Sequence, residues 1–160
     1  MDATHRKAET LEQGDSADRQ SDRRQLRTDR TRDVGMILDT NALSAAADAQ
    51  TTIIDALANA DQIELPVIVL GEYRYGIAQS RYHARYTRWL EGLIADCSVL
   101  DVNEKTSHYY AEINLELRQA GKPIPTNDLW IAALCRQHSL ALLSRDLHFD
   151  LVKGIRRIEW

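Results

Sequence analysis

From residue 36 onward, short apolar runs alternate with longer stretches of helical spacing. "MIL" (36–38), "SVLDV" (98–102), "ALLS" (141–144) and the closing "IRRIEW" have the length of buried strands. "VIVL" (67–70) follows Pro66, and its β-branched residues suggest a strand, or a strand running into the next helix. "ALSAAADA" and "GEYRYGIAQS" read as helices. Elsewhere the apolar residues fall on stripes: Ile53, Ile54, Leu57 and Ala58; Tyr86, Leu90, Leu93 and Ile94; Tyr110, Ile113, Leu117 and Ala120; Ile131, Leu134 and Cys135. Gly121 stops one helix, and "PIPT" makes a rigid turn in which Thr126 is a good N-cap for the next. Short apolar strands separated by helices imply an α/β fold with a central, mostly parallel sheet covered on both faces. Functional sites in such sheets open beyond the carboxyl ends of the strands, where strand order reverses.

Residues 1–35 differ in kind. Positions 1–33 carry eight acidic and eight basic side chains and almost no large apolar ones. Such a stretch cannot bury enough surface to offset its ordering entropy, so it reads as a disordered tail or an upstream extension before Met36. The functional alternative is an RNA-binding arm, since "RQSDRRQLRTDRTR" is arginine-rich, although aspartates interrupt it. The formal charge of −4 therefore falls on the rest of the chain. A weakly acidic domain lacks the basic stripe of a general nucleic-acid clamp, so contact with nucleic acid would need a local patch or bound cations. No apolar run approaches the ~20 residues of a membrane span, and the N-terminus has no apolar signal core. Cys97 and Cys135 stand apart, as free thiols of a cytoplasmic protein would, and the histidines form no zinc-binding spacing.

Four carboxylates sit at the ends of these elements. Asp39 follows the first strand directly, and Asp146 follows "ALLS" by two residues. Asp128 lies in the first turn of its helix, and Glu72 is placed near the start of the helix after "VIVL". Each has a plain structural explanation: a helix cap for Asp39, a favourable helix dipole for Asp128, an Asx turn for Asp146, a solvated helix face for Glu72. Together they would gather at one sheet edge. Like charges at close range cost several kcal/mol at an effective dielectric of about 20, and a divalent cation removes that cost. Oxygen ligands without histidine or cysteine favour Mg²⁺ or Mn²⁺ over zinc. A carboxylate cage around hard cations suits phosphodiester hydrolysis by a metal-activated water, with Thr40, Asn41 and Ser144 orienting waters or carboxylates.

"MILDTNALSA", "VLGEYRYGI" and "TNDLWIAALCRQHSLALLSRDLHFD", in this order and spacing, resemble the PIN domain, and more closely the VapC-type ribonuclease toxins of bacterial toxin–antitoxin pairs. The likeness spans about residues 36–158 of a 36–160 domain. It implies a PIN-like three-layer α/β/α fold. It places the family's acidic positions on Asp39, Glu72, Asp128 and Asp146, with none missing. It further implies a Mg²⁺- or Mn²⁺-dependent endoribonuclease that leaves a 5′-phosphate and a 3′-hydroxyl, dimerises, and is blocked by a VapB-type antitoxin. The long tail before Met36 departs from the family pattern, in which the first strand opens the chain.

RNA affinity at an acidic pocket must come from cations on its rim. Arg74, Arg81, Lys122 and Arg145 are the candidates, with Arg85 and Arg88 extending a loose basic run; a solvated face explains each one singly. Tyr73, Tyr75 and Tyr82 could stack on an unpaired base or pack in the core. Trp89 and Trp130 read as packing residues, and His148 as the start of the last turn or a neighbour of the site. Competing functions are an RNA-processing nuclease with no antitoxin and a non-catalytic RNA- or protein-binding module. A phosphatase of the haloacid dehalogenase type needs a second acid two residues after its nucleophile, and Asn41 occupies that position.

Overall fold

The structure is a computed structural model that describes residues 35–160. The expectation of a disordered tail or extension therefore lies almost wholly outside the described residues. In chain order the elements are β1 (Met36–Leu38), α1 (Thr40–Ala47), α2 (Thr51–Leu57), β2 (Ile63–Pro66), α3 (Val67–Ala78) and α4 (His83–Asp96). Then follow β3 (Ser98–Leu100), α5 (Glu104–Gln119), α6 (Thr126–His138), β4 (Ala141–Leu143), a 3-10 turn (Leu147–Leu151) and β5 (Arg157–Ile158). No helix among the described residues is long and apolar enough to cross a membrane.

The five strands form one sheet in the order β3-β2-β1-β4-β5, and every pairing is parallel. Parallel neighbours need crossovers, and each crossover here is built from helices or the 3-10 turn. The chain moves from β1 towards β3, then returns over the sheet to β4. Right-handed crossovers in opposite directions put α1–α4 on one face and α5–α6 on the other. α1 and α4 both pack on α3, and α5 packs on α6, while α3 and α6 also meet each other, Asn127 donating to Glu72. The sheet is thus an α/β/α sandwich, fully parallel where the sequence suggested mostly parallel.

Both faces being covered, β1 and β4 are apolar throughout, and Ile37, Leu38, Leu142 and Leu143, with Leu65 of β2, have no exposed surface. Between the sheet and α5–α6 lie Ile113, Ile131, Leu134 and Phe149. Trp130 stacks on Tyr110 with ring centroids 4.1 Å apart, and Trp89 meets Tyr73 edge-on, so both tryptophans pack as the sequence suggested. Both cysteines are free thiols, Cys135 buried and Cys97 half-buried.

Two local expectations fail. "VIVL" is not a strand: β2 lies four residues earlier, and "VIVL" opens α3. Proline explains the break. Pro66 lacks an N–H, so it serves as the last strand residue and as the residue preceding the first helical turn, where a missing donor costs little. Within α3 the buried residues are Val69, Leu70, Tyr73 and Ile77, a helical stripe that outweighs the local β preference of valine and isoleucine. Glu72 consequently sits in the middle of α3 rather than near its start. Thr126 is likewise the first residue of α6 and not its cap; Pro125 holds that position without a side-chain hydrogen bond.

Candidate active site

The carboxyl ends of β1 and β4 are adjacent, and β1 lies where strand order reverses. Asp39 leaves β1 there and begins α1, its Oδ1 accepting the Thr40 N–H at 2.7 Å. It is both a cap and the centre of a wider network. Its Oδ2 accepts from Asn41 Nδ2 at 2.6 Å and from Ser144 Oγ at 2.7 Å. Ser144, wholly buried at the end of β4, in turn accepts the Asp146 N–H at 2.9 Å. Asn41 Oδ1 accepts the Arg145 N–H at 3.2 Å. One buried hydroxyl and one amide thus tie the two strand ends together and aim two carboxylates at the same edge.

Glu72 reaches this edge from α3. Its Oε2 accepts from the Thr40 hydroxyl, and its Oε1 accepts from Asn127 Nδ2 at 2.5 Å. Asn127 lies in the first turn of α6, next to Asp128. It is absent from the sequence-derived candidates, and its one signal inside "TNDLW" is adjacency to an acid at a helix start. Asp146 makes the expected Asx turn, its Oδ1 accepting the His148 N–H at 2.9 Å. The His148 ring, itself exposed, turns its Nδ1 towards the acids, 3.1 Å from Asp146 Oδ1 and 3.5 Å from Asp128 Oδ2.

Asp128 is the least satisfied of the four. Its Oδ2 is buried and accepts no hydrogen bond. Burial pushes its carboxyl up to about 6, helped by the negative charges of Asp146, Asp39 and Glu72 and opposed by His148. Asp39 is also raised, first by burial, with Glu72 and Asp146 adding to it and the bonds from Ser144 and Thr40 opposing. The four carboxylates therefore feel one another, and the sequence-predicted acids do come together. A buried acceptor without a donor, in a pocket of unbalanced negative charge, fits a hard cation. Asp128, Asp146 and His148 offer ligand atoms all within 4.8 Å of one another.

The predicted rim is dispersed. Arg145 lies beside the acids, its guanidinium 4.4 Å above the Trp160 ring and 3.3 Å from the Trp160 carbonyl. Lys122 is exposed ahead of α6. Arg81 covers the ring of its neighbour Tyr82 at 4.6 Å. Arg74 lines a separate groove between α3 and α4, with His83, Thr87 and Leu90. Tyr73 is buried, which removes it as an open stacking platform; Tyr75 and Tyr82 are exposed.

The PIN-domain sequence profile matches residues 36–155. Ribonuclease VapC2 of Haemophilus influenzae is 32% identical over 103 residues, covering 64% of this chain and 78% of that protein. Ribonuclease VapC5 of Mycobacterium tuberculosis is 27% identical over 126 residues, covering 77% of this chain and 91% of that one. The crystal structure of VapBC2 from Rickettsia felis, bound to a DNA fragment from its promoter, matches with a TM-score of 0.73 at 25% identity, over 79% of this chain and 99% of that one. A profile match over most of the chain, relatives of this similarity and the same fold lead to one conclusion: the chain belongs to the PIN-domain family, in its VapC group.

Proposed function

We propose that the protein is a divalent-cation-dependent endoribonuclease, the toxin of a type II toxin–antitoxin pair. It hydrolyses RNA phosphodiester bonds in the cytoplasm, leaves a 5′-phosphate and a 3′-hydroxyl, works as a homodimer, and is restrained by a VapB-type antitoxin. The observation that carries this reading is the buried oxygen of Asp128, which accepts no hydrogen bond and has only the His148 ring 3.5 Å away, amid the charges of Asp39, Glu72 and Asp146. Relatives named ribonucleases support the nuclease activity, and a neighbouring structure of a toxin–antitoxin family member supports the antitoxin partner.

Asp39, Glu72, Asp128 and Asp146 would hold the cation, with Mg²⁺ or Mn²⁺ suiting their oxygen donors. A cation so held supplies Lewis-acid polarisation of a phosphate oxygen and lowers the pKa of water. The protein's own part is preorganisation. Asp39 is fixed by three donors, so its carboxylate needs no reordering when substrate arrives. Glu72 is held from both sides by Thr40 and Asn127. Ser144 sets Asp39 and the backbone of Asp146 with a single hydroxyl. Arg145, steadied by Trp160, and the exposed Lys122 would meet RNA phosphates, which position the substrate without reading its sequence.

The test is cleavage of total cellular RNA by purified protein with Mg²⁺, with Mn²⁺ or with EDTA, and with Asp39→Asn as control. Discrete fragments that need the cation and vanish in the variant are expected. Absence of cleavage by folded, cation-bound protein would favour a non-catalytic binding module.

A further inference from the structure

We propose that the cavity between α1, α3 and α4 receives one unpaired base of the RNA next to the scissile bond and selects guanine there, an inference that rests on the nuclease reading above. The cavity measures about 250 Å³. That is below the roughly 300–1,000 Å³ of clefts for drug-sized ligands, so it suits a single ring system. Its mouth is shared with the acids: Thr40 and Glu72 line it and are hydrogen-bonded to each other. It then follows one face of α1 through Ser44 to Asp48, about 12 Å of helix at 1.5 Å per residue.

The floor is apolar. Tyr73 and Ile77 are both buried, and Trp89 braces the Tyr73 ring at 6.1 Å between centroids. Such a floor suits the face of a base splayed out of a single strand. The far wall is polar and ordered. Tyr86 donates its hydroxyl to Asp48 Oδ1 at 2.8 Å, which fixes the carboxylate. A carboxylate has about four lone-pair sites, so Asp48 keeps acceptor capacity for a ligand. Ser80 Oγ accepts the Tyr82 N–H at 3.1 Å, which leaves its O–H to donate. Asp48 and Ser80 line the same cavity, and a carboxylate acceptor pair together with a hydroxyl donor matches guanine, whose N1–H and N2–H donors adjoin the O6 acceptor. Adenine and cytosine each set one donor group beside an acceptor, and uracil sets one N–H between two acceptors; none offers a carboxylate two adjacent donors.

Gly76 lines the same cavity from α3, and a Cβ built there would meet nothing within 4 Å. A larger side chain at this position would therefore stand in the space assigned to the base.

The experiment cuts a degenerate single-stranded RNA with Mg²⁺ and sequences the fragment ends, for the wild type, Asp48→Asn and Gly76→Leu, each checked for folding by circular dichroism. The wild type is expected to show guanine enriched at one fixed position beside the cut. Asp48→Asn should lower that enrichment roughly ten-fold, the discrimination a two-pronged contact to a base edge supplies, and Gly76→Leu should lower it comparably. Cleavage by the wild type with no base enriched beside the cut, or enrichment unchanged in both folded variants, overturns the pocket and leaves the nuclease reading standing. No cleavage by the wild type overturns both.

Discussion

Ser144 Oγ donates to Asp39 Oδ2 at 2.7 Å across 105 positions of sequence. The same oxygen accepts the Asp146 N–H. A single buried hydroxyl thus couples the ends of two adjacent parallel strands and sets the direction of two carboxylates.

Ser144→Ala removes a donor from Asp39 and strips the Asp146 N–H of its acceptor. Loss of such a supporting group typically costs 10–100-fold in metal affinity or activity. Stability should fall by about 1–3 kcal/mol, the cost of leaving buried polar groups unpaired. RNA cleavage rates and urea unfolding check the two effects separately. Full activity in the variant would mean that Asp39 and Asp146 hold their positions without it.

Asp128→Asn should separate fold from function in the opposite way. Its Oδ2 receives no hydrogen bond, so the amide gives up only the 3.5 Å approach of His148 there and removes a crowded negative charge. Cation binding should be lost, while the cation-free variant melts a few degrees higher, about 2–4 °C per kcal/mol for a domain of this size. Calorimetric melting in EDTA checks this. A lower melting temperature would show that the carboxylate is stabilising as it stands.

The same residue sets a pH dependence. The folded pKa of Asp128, about 6, lies above its ordinary 3.8. Between those values the native chain keeps a proton that the unfolded chain has released. The group therefore stabilises the folded state in acid relative to neutrality, and that contribution is lost as pH rises through about 6. Cation-free wild type should approach the Asp128→Asn variant in melting temperature near about pH 4 and fall below it near about pH 7.5. Cation affinity should weaken as pH drops below about 6, because protons compete for the same oxygen. Titration calorimetry in buffers of different ionisation heat reads the proton released on binding.

Much of this arrangement is legible in the sequence, and the misses have causes. "MILD" and "ALLSRD" state a buried strand ending in acid, and both are found. "VIVL" misleads because β-branched composition is local, whereas the helix is settled by which residues can reach the core; Pro66 was the better signal. Thr126 looks like a cap by residue type, but the chain enters α6 through Pro125. Asn127 and His148 acquire their roles only when α3, α6 and the 3-10 turn meet, so spacing alone could not assign them. Glu64 is the reverse case, a charge inside a strand that the pattern gave no reason to single out.

Glu64 lies on β2, 8% exposed, and its Oε2 has no partner. Burial pushes its carboxyl up, with His138 opposing. Glu64→Gln should raise the melting temperature at neutral pH, and the gain should shrink as acid protonates the wild-type carboxyl. Thermal melts of both proteins across that range check it. A gain that persists undiminished in acid would assign the effect to packing rather than charge.

The central claim is that the converging carboxylates hold the cation that RNA cleavage requires. The most direct test titrates Mn²⁺ into cation-free protein, following occupancy by electron paramagnetic resonance and RNA cleavage in parallel samples, for the wild type and Asp128→Asn. The account predicts that occupancy and cleavage rise together in the wild type and that both are absent from the folded variant at the same concentrations. Cleavage that proceeds with the site empty, or an Asp128→Asn protein that binds and cuts like the wild type, would contradict it.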